Sequence, residues 1–142
     1  MDDTSYLTKV KDSELVDIRK NNTEEYTRIQ FLQSNGFTVI TSVRFKGAEL
    51  FTEDDFHKAF ATKLQFPDFY GENMDAWIDV MDDMWMPYPM SKVCMTGDSL
   101  RIVIENSKKF RSESPMYRKL IECVEFINDE RRKCKYLELV FE

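Results

Sequence analysis

The 142-residue chain has one histidine, His57, together with only four glycines, four prolines and three cysteines. Each scarcity removes a class of chemistry. A single imidazole cannot supply a ribonuclease-like acid/base pair or a histidine-rich metal site. Glycines this few and this scattered build no phosphate-cradling loop. Cys94, Cys123 and Cys134 are odd in number and lack metal-like pairing, so reduced and mostly buried thiols are expected, a structural disulfide being the alternative. No apolar run approaches the roughly 18 residues of a membrane span. The start, Met1-Asp-Asp-Thr-Ser5, has neither the basic nor the apolar region of a signal peptide, so a cytoplasmic protein free of the membrane is expected. Positive charge is missing where it matters most: the 28 residues between Lys63 and Lys92 contain no Lys or Arg.

That same stretch holds six carboxylates, Asp68, Glu72, Asp75, Asp79, Asp82 and Asp83. The formal net charge is −6, so this one segment accounts for all of it and the rest of the chain balances. An acidic chain is repelled by nucleic acid and by anionic membranes, which leaves a basic protein or a cation as the natural partner. With 42% hydrophobic and 13% aromatic residues, the composition is that of a folded chain with room for one domain and one core. There is no internal repeat and no low-complexity tract.

Residues 1–21 are polar and mixed in charge, and a frayed or loosely docked start is expected. Asn22 followed by Glu25 fits a capping box and Gly36 a helix stop, which predicts a helix over 23–35; a hairpin through Ser34-Asn35-Gly36 competes with it. The β-branched run from Phe37 to Phe45 reads as a strand ending near Gly47. Thr52 with Asp55 caps a helix carrying Phe56, Ala59, Phe60 and Leu64 inward, stopped by Pro67, with His57 half-exposed. A second helix is expected from about Gly71 to Met84. Trp85-Met-Pro-Tyr-Pro89 must be a loop, because two prolines two apart suit neither a helix interior nor a central strand. Gly97-Asp98 marks a turn, and Leu100 to Glu105 reads as a buried strand. Pro115 opens a long helix with Leu120, Ile121, Val124 and Ile127 inward, and Tyr136 to Phe141 is a last strand. Strand, helix, helix, strand, helix, strand predicts an α/β fold, a parallel sheet covered by helices.

On the 71–84 helix, Glu72, Asp75, Asp79 and Asp82 with Asp83 recur at spacings of three and four and form one stripe; Met74, Trp77, Ile78 and Met81 form a roughly opposite, core-facing one. The acidic stripe works against its own helix. Like charges at i,i+4 cost about 0.2–0.5 kcal/mol per pair, and acids near the C-terminus oppose the macrodipole by about 0.3–1 kcal/mol. A solvated acidic face and a binding surface are both open at this point.

The run Phe66-Pro-Asp-Phe-Tyr-Gly-Glu-Asn-Met-Asp-Ala-Trp-Ile-Asp79 resembles the signature of the barstar family, intracellular inhibitors of secreted bacterial ribonucleases. Val43 to Gly47 resembles the family's first strand and turn, and Trp85, Tyr88 and Pro89 its next loop with one residue inserted. The resemblance covers about 37–142, which makes 1–36 an N-terminal extension and 37–142 an inhibitor domain. It implies a three-stranded parallel sheet packed with helices, and an immunity protein, not an enzyme and without a cofactor, that plugs the active site of a basic ribonuclease-like toxin in a one-to-one complex. Asp79 stands at the family's key aspartate position, where RNA phosphate would bind; Asp75 matches a second interface aspartate and Phe69 an aromatic over the catalytic surface. Tyr70, Asn73, Ile78, Asp82, Asp83 and Trp85 complete the expected partner-binding set. The chain departs from the family's reference member in three places. Ile78 stands where that member has Trp, Phe69 replaces a tyrosine, and Asn128 and Arg132 lie nearest to its late-helix glutamates. Two readings from other classes remain beside this one: a carboxylate-dependent hydrolase or metal-binding enzyme, and a nucleic-acid mimic that occupies a basic protein's site.

Overall fold

The computed structural model describes residues 4–97, 99–131 and 136–142. Asp98 of the expected turn, Arg132 and Cys134 lie outside the described residues.

Three strands carry the predicted parallel sheet: β2 (Thr38–Lys46), β4 (Leu100–Glu105) and β5 (Leu137–Phe141). β4 lies between the other two, with Val43 opposite Ile102 and Ile102 opposite Leu139. Two short strands that the sequence reading did not foresee enlarge the sheet to five. β1 (Leu7–Lys9) runs antiparallel to β2, and β3 (Val93–Met95) pairs parallel with Thr38–Ile40 of β2. The register between β1 and β2 slips at Thr8/Lys9, so Thr41 is an extra residue on β2. Such a bulge breaks the two-residue alternation, and Ile40 and Val43, three apart, both enter the same core.

Helices cover both faces. α3 (Glu53–Lys63), α4 (Met74–Asp83), α5 (Lys108–Glu113) and α6 (Met116–Arg131) bury Phe56, Phe60, Trp77, Met81, Phe110, Leu120, Val124 and Ile127 against Val43, Phe45, Ile102 and Ile104. On the other face α1 (Asp12–Asn21) and α2 (Thr23–Ser34) bring Leu15, Ile18, Ile29 and Leu32 to Val10, Phe37, Val39 and Cys94. The expectation of a frayed N-terminus is therefore corrected: β1, α1 and α2 are folded onto the sheet. α1 buries no residue fully and contributes only the half-covered Leu15 and Ile18, so its apolar signal is weak. The helix expected over 23–35 is α2, with Asn22 accepting from the Glu25 N–H at 3.1 Å and Gly36 beyond its end at φ +83°. The competing hairpin is not formed.

Thr52 caps α3 by accepting from the Asp55 N–H at 3.1 Å. The helix ends at Lys63, short of Pro67, with Gln65 at φ +50° turning the chain away. Cys94 and Cys123 are free thiols, and burial pushes the Cys94 thiol up to about 11, so it stays protonated near neutrality. No helix among the described residues is long and apolar enough to cross a membrane.

Candidate functional site

The segment from Phe66 to Met90 runs from a turn into α4 and on into a loop. Tyr70 closes a turn by donating its N–H to the Pro67 carbonyl at 3.0 Å. Its ring lies edge-on to Phe66 at 4.8 Å, and its hydroxyl meets His57 Nδ1 at 2.5 Å. Of the two adjacent aromatics, Tyr70 is thus the anchor, and Phe69 is turned out with 75% of its surface exposed.

His57 corrects a second expectation. It is 1% exposed, because Tyr70 folds back over α3, a contact that the spacing along α3 could not reveal. In either tautomer one ring nitrogen serves Tyr70 and Nε2 is left buried without a partner among the described residues. Desolvation holds its pKa below 6.5, against the pull of Glu53 and Glu72. The unfolded chain binds a proton as pH falls through 6.5 while the folded chain resists it. Stability is therefore full above 6.5, declines as pH falls from there toward the depressed folded value, and levels off below it. The slope from this one group is at most about 1.4 kcal/mol per pH unit. Urea unfolding of the parent and of His57→Gln from pH 8 to pH 5 checks this: the parent's extra loss below 6.5 should be absent from the variant.

α4 begins three residues later than the sequence suggested. Asn73 is its N-cap, with the side chain accepting from the Ala76 N–H at 2.8 Å, and Glu72 stands outside the helix at φ +52°. Capping is worth about 1 kcal/mol and explains the asparagine without reference to a partner. From this start Trp77, Val80 and Met81 point inward, Trp77 meeting Phe60 edge-on at 5.4 Å. Met74 and Ile78 are half-buried at the border of the core. Asp75 and Asp79, one turn apart, are exposed, as are Asp68 and Glu72 before the helix. None of these four carboxylates forms an ion pair among the described residues.

The end of α4 is treated differently. Asp82 pairs with Arg131 of α6, Nε to Oδ1 at 2.8 Å, and a second guanidinium nitrogen donates to the Asp82 carbonyl. The same guanidinium lies 4.1 Å from the centre of the Trp85 ring. Asp83 accepts from the Met90 N–H at 2.6 Å, and burial raises its pKa against that bond. Arg28 of α2 donates to the Met84 and Met86 carbonyls, each at 2.9 Å. Cations at a helix C-terminus offset both the macrodipole and the acids placed there. The expected stripe is thus split. Of its C-terminal acids, Asp82 is paired from α6 and Asp83 is held by the Met90 N–H, and its N-terminal acids have no ion pair among the described residues.

The nine expected partner-binding residues accordingly fall into two groups. Phe69, Asp75 and Asp79 face outward, with no internal side-chain bond among the described residues. Tyr70, Asn73, Asp82, Asp83 and Trp85 hold the segment in shape, and Ile78 lies between the groups. Arg28 and Arg131 were missed, since their long-range bonds reach 49–67 positions along the chain. Tyr88, 67% exposed and packed beside Phe31 and edge-on to Phe37, extends the exposed surface beyond α4; its place in the Trp85-to-Pro89 loop was the available signal. Asn128, aligned with the late-helix interface, is instead committed to β5: it accepts from the Leu137 N–H at 2.8 Å and donates to its carbonyl at 3.1 Å.

Residues 40–140 match the family model described as Barstar (barnase inhibitor). This chain belongs to the barstar family. The match contains the whole acidic segment and starts within β2, so β1, α1 and α2 precede it. Family membership carries inhibition of a barnase-like ribonuclease as the activity at family level. No curated protein matches the chain.

Proposed function

We propose that the chain is an immunity protein that neutralises a ribonuclease-type toxin by seating α4 and the preceding turn in the toxin's active site, one chain to one toxin. The observation that carries this reading is the pair Asp75 and Asp79, exposed and unpaired on a capped helix whose opposite face is fixed by Trp77 and Met81. A ribonuclease gathers Arg, Lys and His around a phosphate. A carboxylate presented from a rigid helix satisfies those donors with charge-assisted hydrogen bonds, and its site is prepared before the partner arrives.

In this arrangement Asp79 takes the phosphate position, Asp75 pairs with a neighbouring cation and Phe69 covers the catalytic surface. Ile78 gives a smaller apolar contact than the tryptophan of the family's reference member. The concentration of all −6 net charges in residues 64–91 steers a basic partner to this side, so association should slow as salt rises. The toxin is basic and bacterial, and the complex forms in the cytoplasm of the cell that makes the chain.

Barnase, the ribonuclease in the family's description, is the first partner to test. RNA cleavage should fall linearly with added chain and vanish at one equivalent, with the association rate lowered at high ionic strength. Undiminished cleavage by barnase and by other barnase-like ribonucleases at a tenfold excess of chain would overturn the reading.

A further inference from the structure

Arg28 lies in the middle of α2, before the region that matches the family, with its side chain only 10% exposed. Its guanidinium makes four hydrogen bonds. Nε donates to the Met86 carbonyl and Nη2 to the Met84 carbonyl, both at 2.9 Å; Nη1 donates to Glu25 Oε1 at 2.9 Å and to the Met95 carbonyl at 3.2 Å. The other Glu25 oxygen accepts the Gly97 N–H. Met84 is the C-cap of α4, Met86 belongs to the following loop and Met95 ends β3. One turn further along α2, Phe31 packs beside Tyr88, ring centres 6.0 Å apart. α2 therefore grips the 84–90 segment twice, by its main chain through Arg28 and by a side chain through Phe31.

The geometry requires arginine. The last carbonyls of a helix have no intrahelical donor, and a planar guanidinium with five donors can serve carbonyls from three places at once. A lysine ammonium has the charge but is a compact point donor on a flexible stem. We infer that Arg28 is a positioning residue for the partner-binding segment, through which α2 fixes the end of α4 and the 84–90 loop and so sets how slowly the nuclease is released. The effect on release rests on the inhibitor reading above; the fixing of the loop does not.

The full chain is compared with Arg28→Lys and with the double variant Glu25→Gln/Arg28→Met, which leaves no orphaned carboxylate. Amide hydrogen exchange is read at Met84, Met86 and Met90, whose N–H groups are bonded within the segment, against Ile102 and Ile104 in β4. Both variants should exchange at least tenfold faster at the three loop amides relative to the β4 amides. Release of barnase should accelerate by a similar factor with association changed less than threefold. A role in overall stability alone would speed both sets of amides together, and that result overturns the inference. So does rescue of both readouts by lysine, or loosened loop amides with an unchanged release rate. If the parent does not bind barnase-like ribonucleases, the inhibitor reading fails, and the exchange ratio still decides whether Arg28 positions the segment.

Discussion

Asp79→Ala should weaken binding to the cognate ribonuclease by about 30- to 5,000-fold, mostly as faster dissociation. Truncating one member of a buried, hydrogen-bonded charge pair costs about 2–5 kcal/mol, a range drawn partly from the barnase–barstar pair of this same family. Much of that is the cost of leaving the nuclease's cations buried without an anion. The folded chain should be unharmed, because Asp79 is exposed and has no ion pair among the described residues. Removing it relieves repulsion with Asp75 and replaces a poor helix former, which together should raise stability by about 0.5–1 kcal/mol. Opposite signs for binding and stability distinguish an interface residue from a structural one. Dissociation rates and urea unfolding on the same preparation give both. Unchanged affinity, or lost affinity accompanied by unfolding, would remove Asp79 from the centre of the interface.

Deleting residues 136–142 should abolish cooperative folding altogether. Tyr136 and Leu137 are fully buried, and Leu139 and Phe141 pack against the main core. At about 1.5–3 kcal/mol for each fully buried side chain, their loss is comparable with a total stability of about 5–15 kcal/mol. β4 would also lose one of its two hydrogen-bonded neighbours, and both Asn128 bonds to Leu137 would go. Circular dichroism through a urea titration decides this: a cooperative transition at the parent's midpoint would contradict the assigned sheet.

What could be read in advance follows from how far each signal reaches. α3 and the three long parallel strands are written in local patterns, capping at Thr52 and β-branched runs, so they were legible. The outward pair Asp75 and Asp79 was legible from helical spacing and from the family resemblance. The true start of α4 was not, because Gly71 and Glu72 suit a helix entry until Glu72 adopts a left-handed backbone. Burial of His57 depends on Tyr70 folding back 13 positions later. The split of the acidic stripe depends on Arg131, which stands outside the segment that the absence of positive charge had singled out, and on the loop that brings the Met90 N–H to Asp83. β1 and β3 are three residues each, too short for a period to show. Tertiary pairing decides the last three of these features, whereas the start of α4 is set locally, by Glu72 and the Asn73 cap.

The order of the strands also bears on how the molecule is made. α3 and α4 are close in sequence, and their aromatics Phe56, Phe60 and Trp77 can meet as soon as both have been synthesised. The sheet must wait. β2 finds β4 only across the whole α3–α4 stretch, with Ser42 opposite Arg101, and β4 is without β5 until residues 137–141 exist. Pairings this distant make loop closure a large part of the barrier, so the last stage of folding should be slow compared with helix formation. Until residues 116–131 exist, the apolar side of α4 also has no α6 to pack against it. The nascent chain therefore has a period in which its carboxylates are already present but the helix that carries them is not yet held, and the supply of competent protein is set by folding time as well as by synthesis.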